Sequence, residues 1–159
     1  MKLRATSSPR MEIYVPLVQE FAARVILFHE AVAQRLGLHA TDVKAIRLLG
    51  QNAMTASELA ENAGLTGAAI TALVDRIEAA GYAVRERDAN DRRKVIIRAV
   101  PAKVRVLDQL YASQGVAMSR LLSKYGATEF AAITDYFVNA TKILAEQTGK
   151  LRKDSAERQ

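Results

Sequence analysis

Six cationic side chains crowd into residues 84–98: Arg85, Arg87, Arg92, Arg93, Lys94 and Arg98, against Glu86, Asp88 and Asp91. Three of them, Arg92-Arg93-Lys94, are consecutive and follow Asp88-Ala89-Asn90-Asp91, a run of turn-forming residues. Guanidinium and ammonium groups at the tip of a turn attract anions, either nucleic-acid phosphates or an acidic protein face. A second pattern precedes them. Thr55-Ala56-Ser57-Glu58 has the spacing of a capping box, in which the threonine hydroxyl and the glutamate satisfy each other's backbone amides. It opens the stretch from Glu58 to Val74, where Ala60 is small, Gly64 suits a positive-φ turn, and Ile70 and Leu73 can pack back on the preceding helix. That spacing is what a helix-turn-helix needs to present its second helix to a DNA major groove. A basic two-strand wing just after it can reach a narrow minor groove, whose negative potential draws arginine.

These residues need elements to hold them. Val18, Phe21, Val25, Phe28, Val32 and Leu36 alternate at three and four, which predicts a first helix with a coiled-coil-like seam, ended by Gly37. Thr41 is expected to cap a second helix carrying Val43, Ile46 and Leu49, stopped by Gly50-Gln51-Asn52. Thr55 caps a third. Thr66 caps a fourth with Ile70, Leu73, Val74 and Ile77 inward, and Gly81 follows it. The period then changes to strands at 82–87 and 95–100, closed by Pro101. Two helices follow, over about 103–124 and, from a cap near Thr128, to Thr148-Gly149, with Gly126 between them. No internal repeat is present.

With 159 residues and a formal charge of +6, the chain suits one domain with extensions. No cysteine is present, which excludes a disulfide framework, a thiolate nucleophile and a cysteine zinc site. Two histidines, His29 and His39, do not make a metal site by themselves. There is no Ser–His–Asp order, no glycine-rich phosphate loop and no carboxylate pair at helical spacing, so an enzyme is not expected, and neither is a cofactor. The N-terminus lacks the apolar stretch of a signal peptide, and no run is long enough to span a membrane, so a cytoplasmic location is expected.

Residues 41–100 resemble the winged helix-turn-helix of MarR-family transcription regulators, and the flanking helices extend the likeness over nearly the whole chain. The residues that carry it are Leu73-Val74-Asp75-Arg76-Ile77-Glu78-Ala79-Ala80-Gly81-Tyr82, then Asp91-Arg92-Arg93-Lys94-Val95-Ile96-Ile97. The resemblance implies a mainly α fold with a small β-wing. It also implies an organisation of a flexible tail (1–10), an N-terminal dimerisation helix (11–38), the DNA-binding domain (41–100), C-terminal dimerisation helices (103–149) and a charged tail (150–159). The function implied is that of a homodimeric repressor on a pseudo-palindromic operator in double-stranded DNA, released by a small, aromatic or phenolic ligand.

Carried over by position, Arg93 would enter the minor groove, flanked by Arg92 and Lys94, and Asp91 would brace the wing by ion pairing. Arg76 would end the recognition helix, pairing with acidic neighbours or phosphate. Thr55 and Ser57 would meet phosphates at a helix N-terminus. Thr66, Ala68, Ala69, Thr71 and Ala72 would face the major groove. Arg24, His29 and Tyr111 could line the ligand cleft. The sequence departs from the family where Gly67, Ala68, Ala69 and Ala72 replace longer polar readers. The implied dimer faces are the seam Phe21, Val25, Phe28 and Val32 and the stripe Phe130, Ile133, Phe137 and Leu144. The competing reading is a winged helix whose basic tip meets an acidic protein.

Overall fold

The computed structural model describes residues 8–89 and 91–156. Its elements are α1 (Pro9–Leu36), α2 (Ala40–Gln51), β1 (Met54–Thr55), α3 (Ala56–Ala63), α4 (Gly67–Ala79), β2 (Ala83–Arg87), β3 (Val95–Ala99), α5 (Pro101–Leu122) and α6 (Ala127–Ala156). They fall into two compact units, divided between Leu110 and Tyr111.

In the first unit, α2, α3 and α4 surround a core of Val43, Ala45, Ile46, Leu49, Leu59, Ile70, Leu73, Val74 and Ile77, closed by Ile97, Ala99 and Leu107. The α4 set is the apolar face expected from its 3-1-3 spacing. The sheet has the order β1-β3-β2, all antiparallel, with Met54 opposite Ile97 and Ala83 opposite Ala99. β1 was not expected: two residues carry no readable period, and β3 supplies its pairing.

Several element ends differ from expectation. α2 starts at Ala40 because the Asp42 carboxylate accepts from the His39 amide at 3.1 Å, which leaves Thr41 inside the first turn rather than at the cap. α1 begins at Pro9, inside the stretch expected as a tail, with the Ser8 hydroxyl accepting from the Arg10 amide. The remainder of that tail, residues 1–7, lies outside the described residues. β3 ends at Ala99, ahead of Pro101, and Pro101 itself opens α5, two residues before the start expected at about 103, a position where its missing N–H costs nothing. The Gly126 amide donates to Glu129 at 2.8 Å and its carbonyl accepts from Phe130, so α6 begins at Ala127, one residue before Thr128. α6 also runs through Gly149 to Ala156 instead of fraying at 150; residues 157–159 lie outside the described residues.

Along α1, Met11, Ile13, Leu17, Phe21, Ile26 and Leu27 are exposed, and Val32 alone of the expected seam is buried. In the second unit, Phe130, Phe137 and Leu144 are exposed and Ile133 is half-buried. No helix among the described residues is long and apolar enough to cross a membrane.

Candidate nucleic-acid interface

The helix-turn-helix is built from its caps outward. Thr55 donates its amide to Glu58 Oε2 at 2.7 Å and its hydroxyl to the same oxygen at 2.8 Å, while its Oγ1 accepts from the Glu58 amide at 3.3 Å. These bonds, the Thr55 amide first, hold the Glu58 carboxyl below the usual carboxylate range, and the charge of Lys94 on the wing adds to the effect. Ser57 is exposed on the first turn of the same helix. At the other end of α3, Gly64 takes φ +78° and donates to the Ala60 carbonyl at 2.8 Å. Lys44 of α2 donates to the Ala63 carbonyl at 3.0 Å, placing a cation on the negative end of the α3 dipole.

Thr66 then caps α4, its Oγ1 accepting from the Ala69 amide at 3.4 Å. The Thr71 hydroxyl donates to the Gly67 carbonyl at 3.1 Å. Both polar groups expected to read bases are therefore engaged within their own helix. With Ile70, Leu73, Val74 and Ile77 buried, Gly67, Ala68, Ala69, Thr71, Ala72, Asp75 and Arg76 remain outward. The exposed face of α4 is short and mostly methyl groups.

Arg76 pairs with Asp42 of α2, with Nη2 to Oδ1 at 2.7 Å and Nε to Oδ2 at 3.4 Å. That hydrogen bond raises the guanidinium above its already high ordinary pKa, so it stays charged. Asp42 was not singled out in the sequence. Its signal was its place: 42, 45, 46 and 49 form the inward stripe of α2, and an acid in that stripe needs a cation.

On the wing, the turn is tied by backbone contacts. Asp88 Oδ1 accepts from the Asp91 amide at 2.9 Å, and Asp91 Oδ1 accepts from the Arg93 amide at 3.1 Å. The Lys94 amide donates to the Asp91 carbonyl, and the Asp88 amide to the Lys94 carbonyl. Asp91 thus braces the turn through an amide; among the described residues no ion pair of Asp91 is found. Arg87 donates to the Arg92 carbonyl at 3.0 Å. Arg85 is drawn away from the tip by Asp75 at 2.5 Å and by Glu78, and the Asp75 bond, then Glu78, raises its pKa. Arg98 pairs with Glu86 at 3.1 Å. Arg92, Arg93 and Lys94 are exposed, and none of their side chains has a hydrogen-bonded or salt-bridged partner among the described residues.

The structure therefore brings Arg92, Arg93 and Lys94 together on one turn, and Thr55, Ser57 and the outward α4 residues onto the helix-turn-helix. Arg76 is turned toward α2 by Asp42. Among the described residues, no cluster of three or more His, Cys, Asp or Glu could hold a metal ion.

A sequence model of the MarR family matches residues 36–94. The chain is 36% identical over 154 residues to the uncharacterized HTH-type transcriptional regulator YcgE of Bacillus subtilis, covering 96% of this chain and all of that protein. Among solved structures, a MarR family protein from Bacillus stearothermophilus superposes with a TM-score of 0.69 at 19% identity, covering 87% of this chain and 99% of that one. A variant of MepR from S. aureus, bound to an oligodeoxyribonucleotide, superposes with a TM-score of 0.56 at 18% identity, covering 84% and 97% of the two chains. The last two likenesses concern the fold.

Proposed function

The chain belongs to the MarR family, and from that premise we propose that it is a repressor that binds a pseudo-palindromic operator as a homodimer and is released by a small ligand. It is a DNA-binding transcription regulator rather than an enzyme. The observation that carries the reading is the set of three adjacent cations at the wing tip, outside the fold's own ion pairs, beside a capped helix-turn-helix. Arg93 is assigned to the minor groove with Arg92 and Lys94 on the flanking phosphates, Asp91 holding the turn. Thr55 and Ser57 lie where a phosphate would meet the α3 N-terminus. Ala68, Ala69, Ala72 and the methyls of Thr66 and Thr71 face the bases.

An alanine and threonine face lacks the bidentate contact to guanine that arginine makes, worth roughly 1–3 kcal/mol. Recognition on this reading leans on thymine methyls and on DNA shape, and the wing supplies much of the affinity. A two-fold dimer sets two recognition helices about one DNA turn apart, which asks for a pseudo-palindrome. The exposed apolar residues of α1 and α6 support the dimer.

For the ligand, a cavity of about 510 Å³ lies between α1 and α2, lined by Ile26, His29, Val43, Lys44, Arg47 and Leu48 among others. Its volume suits a small molecule. A mostly apolar lining that includes Lys44 and Arg47 suits an aromatic acid or phenolate. His29 lines it; Arg24 is instead paired with Glu20 at 2.6 Å, and Tyr111 belongs to the second unit. The proposed location is cytoplasmic.

The test is a fluorescence-anisotropy titration against DNA flanking the chain's own gene, with unrelated DNA and a salt series. Tight, dimer-stoichiometric binding to one fragment with a steep salt slope is expected. Weak binding, equal for every duplex, favours the protein-interaction reading instead. Candidate aromatic acids are then added to the complex, and release identifies the ligand class.

A further inference from the structure

Asp42 is the buried charged side chain of the described core, 1% exposed, and it faces the recognition helix. One oxygen accepts from Arg76 Nη2, and the other from both Arg76 Nε and the His39 amide. An ion pair taken out of water is a poor source of stability, since desolvation offsets the attraction. Ile46 of α2 and Leu73 and Ile77 of α4 are fully buried, and the two helices pack on each other, so apolar burial is available there without the pair. What a two-point grip on a planar guanidinium adds is geometry: it fixes how α4 is rotated on α2. Arg76 also ends the outward stripe Ala69, Ala72, Arg76, at spacings of three and four along α4. Its side chain is 43% exposed while its partner is buried, so the pair links the core to the DNA-facing surface.

We propose that Asp42 is a positioning residue for sequence recognition: through Arg76 it sets the rotation of α4 on α2 and thereby the register of the recognition helix on the bases. A helix that reads with short methyl groups tolerates little misplacement, because no long side chain can reach across an error. The inference rests on the DNA-binding reading above. It also places the determinant of specificity on α2, whose other face, Thr41, Lys44 and Leu48, lines the cavity.

The experiment compares wild type, Asp42→Leu and the paired replacement Asp42→Leu with Arg76→Met. The probes are duplexes selected by the wild-type protein from a random-sequence pool and an unrelated duplex of equal length. Thermal melting is recorded alongside. The paired variant is expected to melt close to wild type, since replacing a buried ion pair by two apolar side chains offsets the loss of the Asp42 acceptor for the His39 amide at the start of α2. Its binding to the unrelated duplex and its salt slope should be unchanged, while its preference for selected duplexes falls on the order of tenfold. Asp42→Leu, which keeps Arg76, should lose the same preference. A paired variant with wild-type preference overturns the inference. So does a salt slope lower by about one, which would make Arg76 a phosphate contact rather than a positioned group. A wild-type protein with no preference among duplexes instead overturns the DNA-binding reading, and this inference with it.

Discussion

Of the wing cations, Arg85 and Arg98 are held by carboxylates and Arg87 by the Arg92 carbonyl, while among the described residues Arg93 has only its backbone amide engaged. Arg93→Ala should therefore leave folding intact. It should lower DNA affinity and reduce the log–log salt slope by about one. An anisotropy salt series checks this, and an unchanged slope would remove Arg93 from the interface. That Arg92, Arg93 and Lys94 stand together and exposed on one turn was legible here, because a run of cations directly after turn-forming residues belongs at a loop tip. What their neighbours do was less legible. Asp91 was expected to pair with a cation and instead accepts from an amide, since a tight turn leaves its carboxylate facing the chain's own backbone. Asp42 was silent in the sequence because its partner Arg76 lies 34 residues away, and only packing α2 against α4 joins them.

The α3 cap carries its own pH signature. The Glu58 pKa is depressed in the folded chain, so the stability it contributes is present above its unfolded value, about 4.3, and is lost as pH falls through the lower folded value. Glu58→Gln should be less stable than wild type near neutrality, and the gap should close as acid protonates Glu58. Urea unfolding of both proteins along a pH series measures it. Thr55→Ala removes the reciprocal half of the cap and should cost about 1 kcal/mol at neutral pH. A variant as stable as wild type would show that the box contributes nothing. Helices with strong stop signals, Gly37, Gly64 and Gly81, all at positive φ, were readable from the sequence. Starts were harder: α2 begins where Asp42 reaches back, and α1 extends through Pro16 to Pro9, beyond the apolar period that marked it. β1 exists only because β3 pairs with it.

Across the molecule, the apolar side chains left exposed on α1 and α6 require a cover, and a second copy is the proposed one. A folded dimer unfolding to single chains gains stability with concentration, so the melting temperature should rise as the protein is concentrated. Sedimentation should show a twofold mass. A concentration-independent melt with monomer mass would remove the dimer. Among the described residues the ion pairs are Arg24 with Glu20, Arg76 with Asp42, Arg85 with Asp75 and Glu78, and Arg98 with Glu86. Among the described residues the side chains of the wing tip take no part in these pairs, and of the three only Lys94 bears on the fold, through its charge on the Glu58 cap. Selection can therefore act on the two separately. On the proposed function, substitutions at Arg92 and Arg93 would weaken or strengthen a promoter's control while the protein stays as abundant as before, so a regulatory circuit built on this chain would drift in output without first losing its regulator.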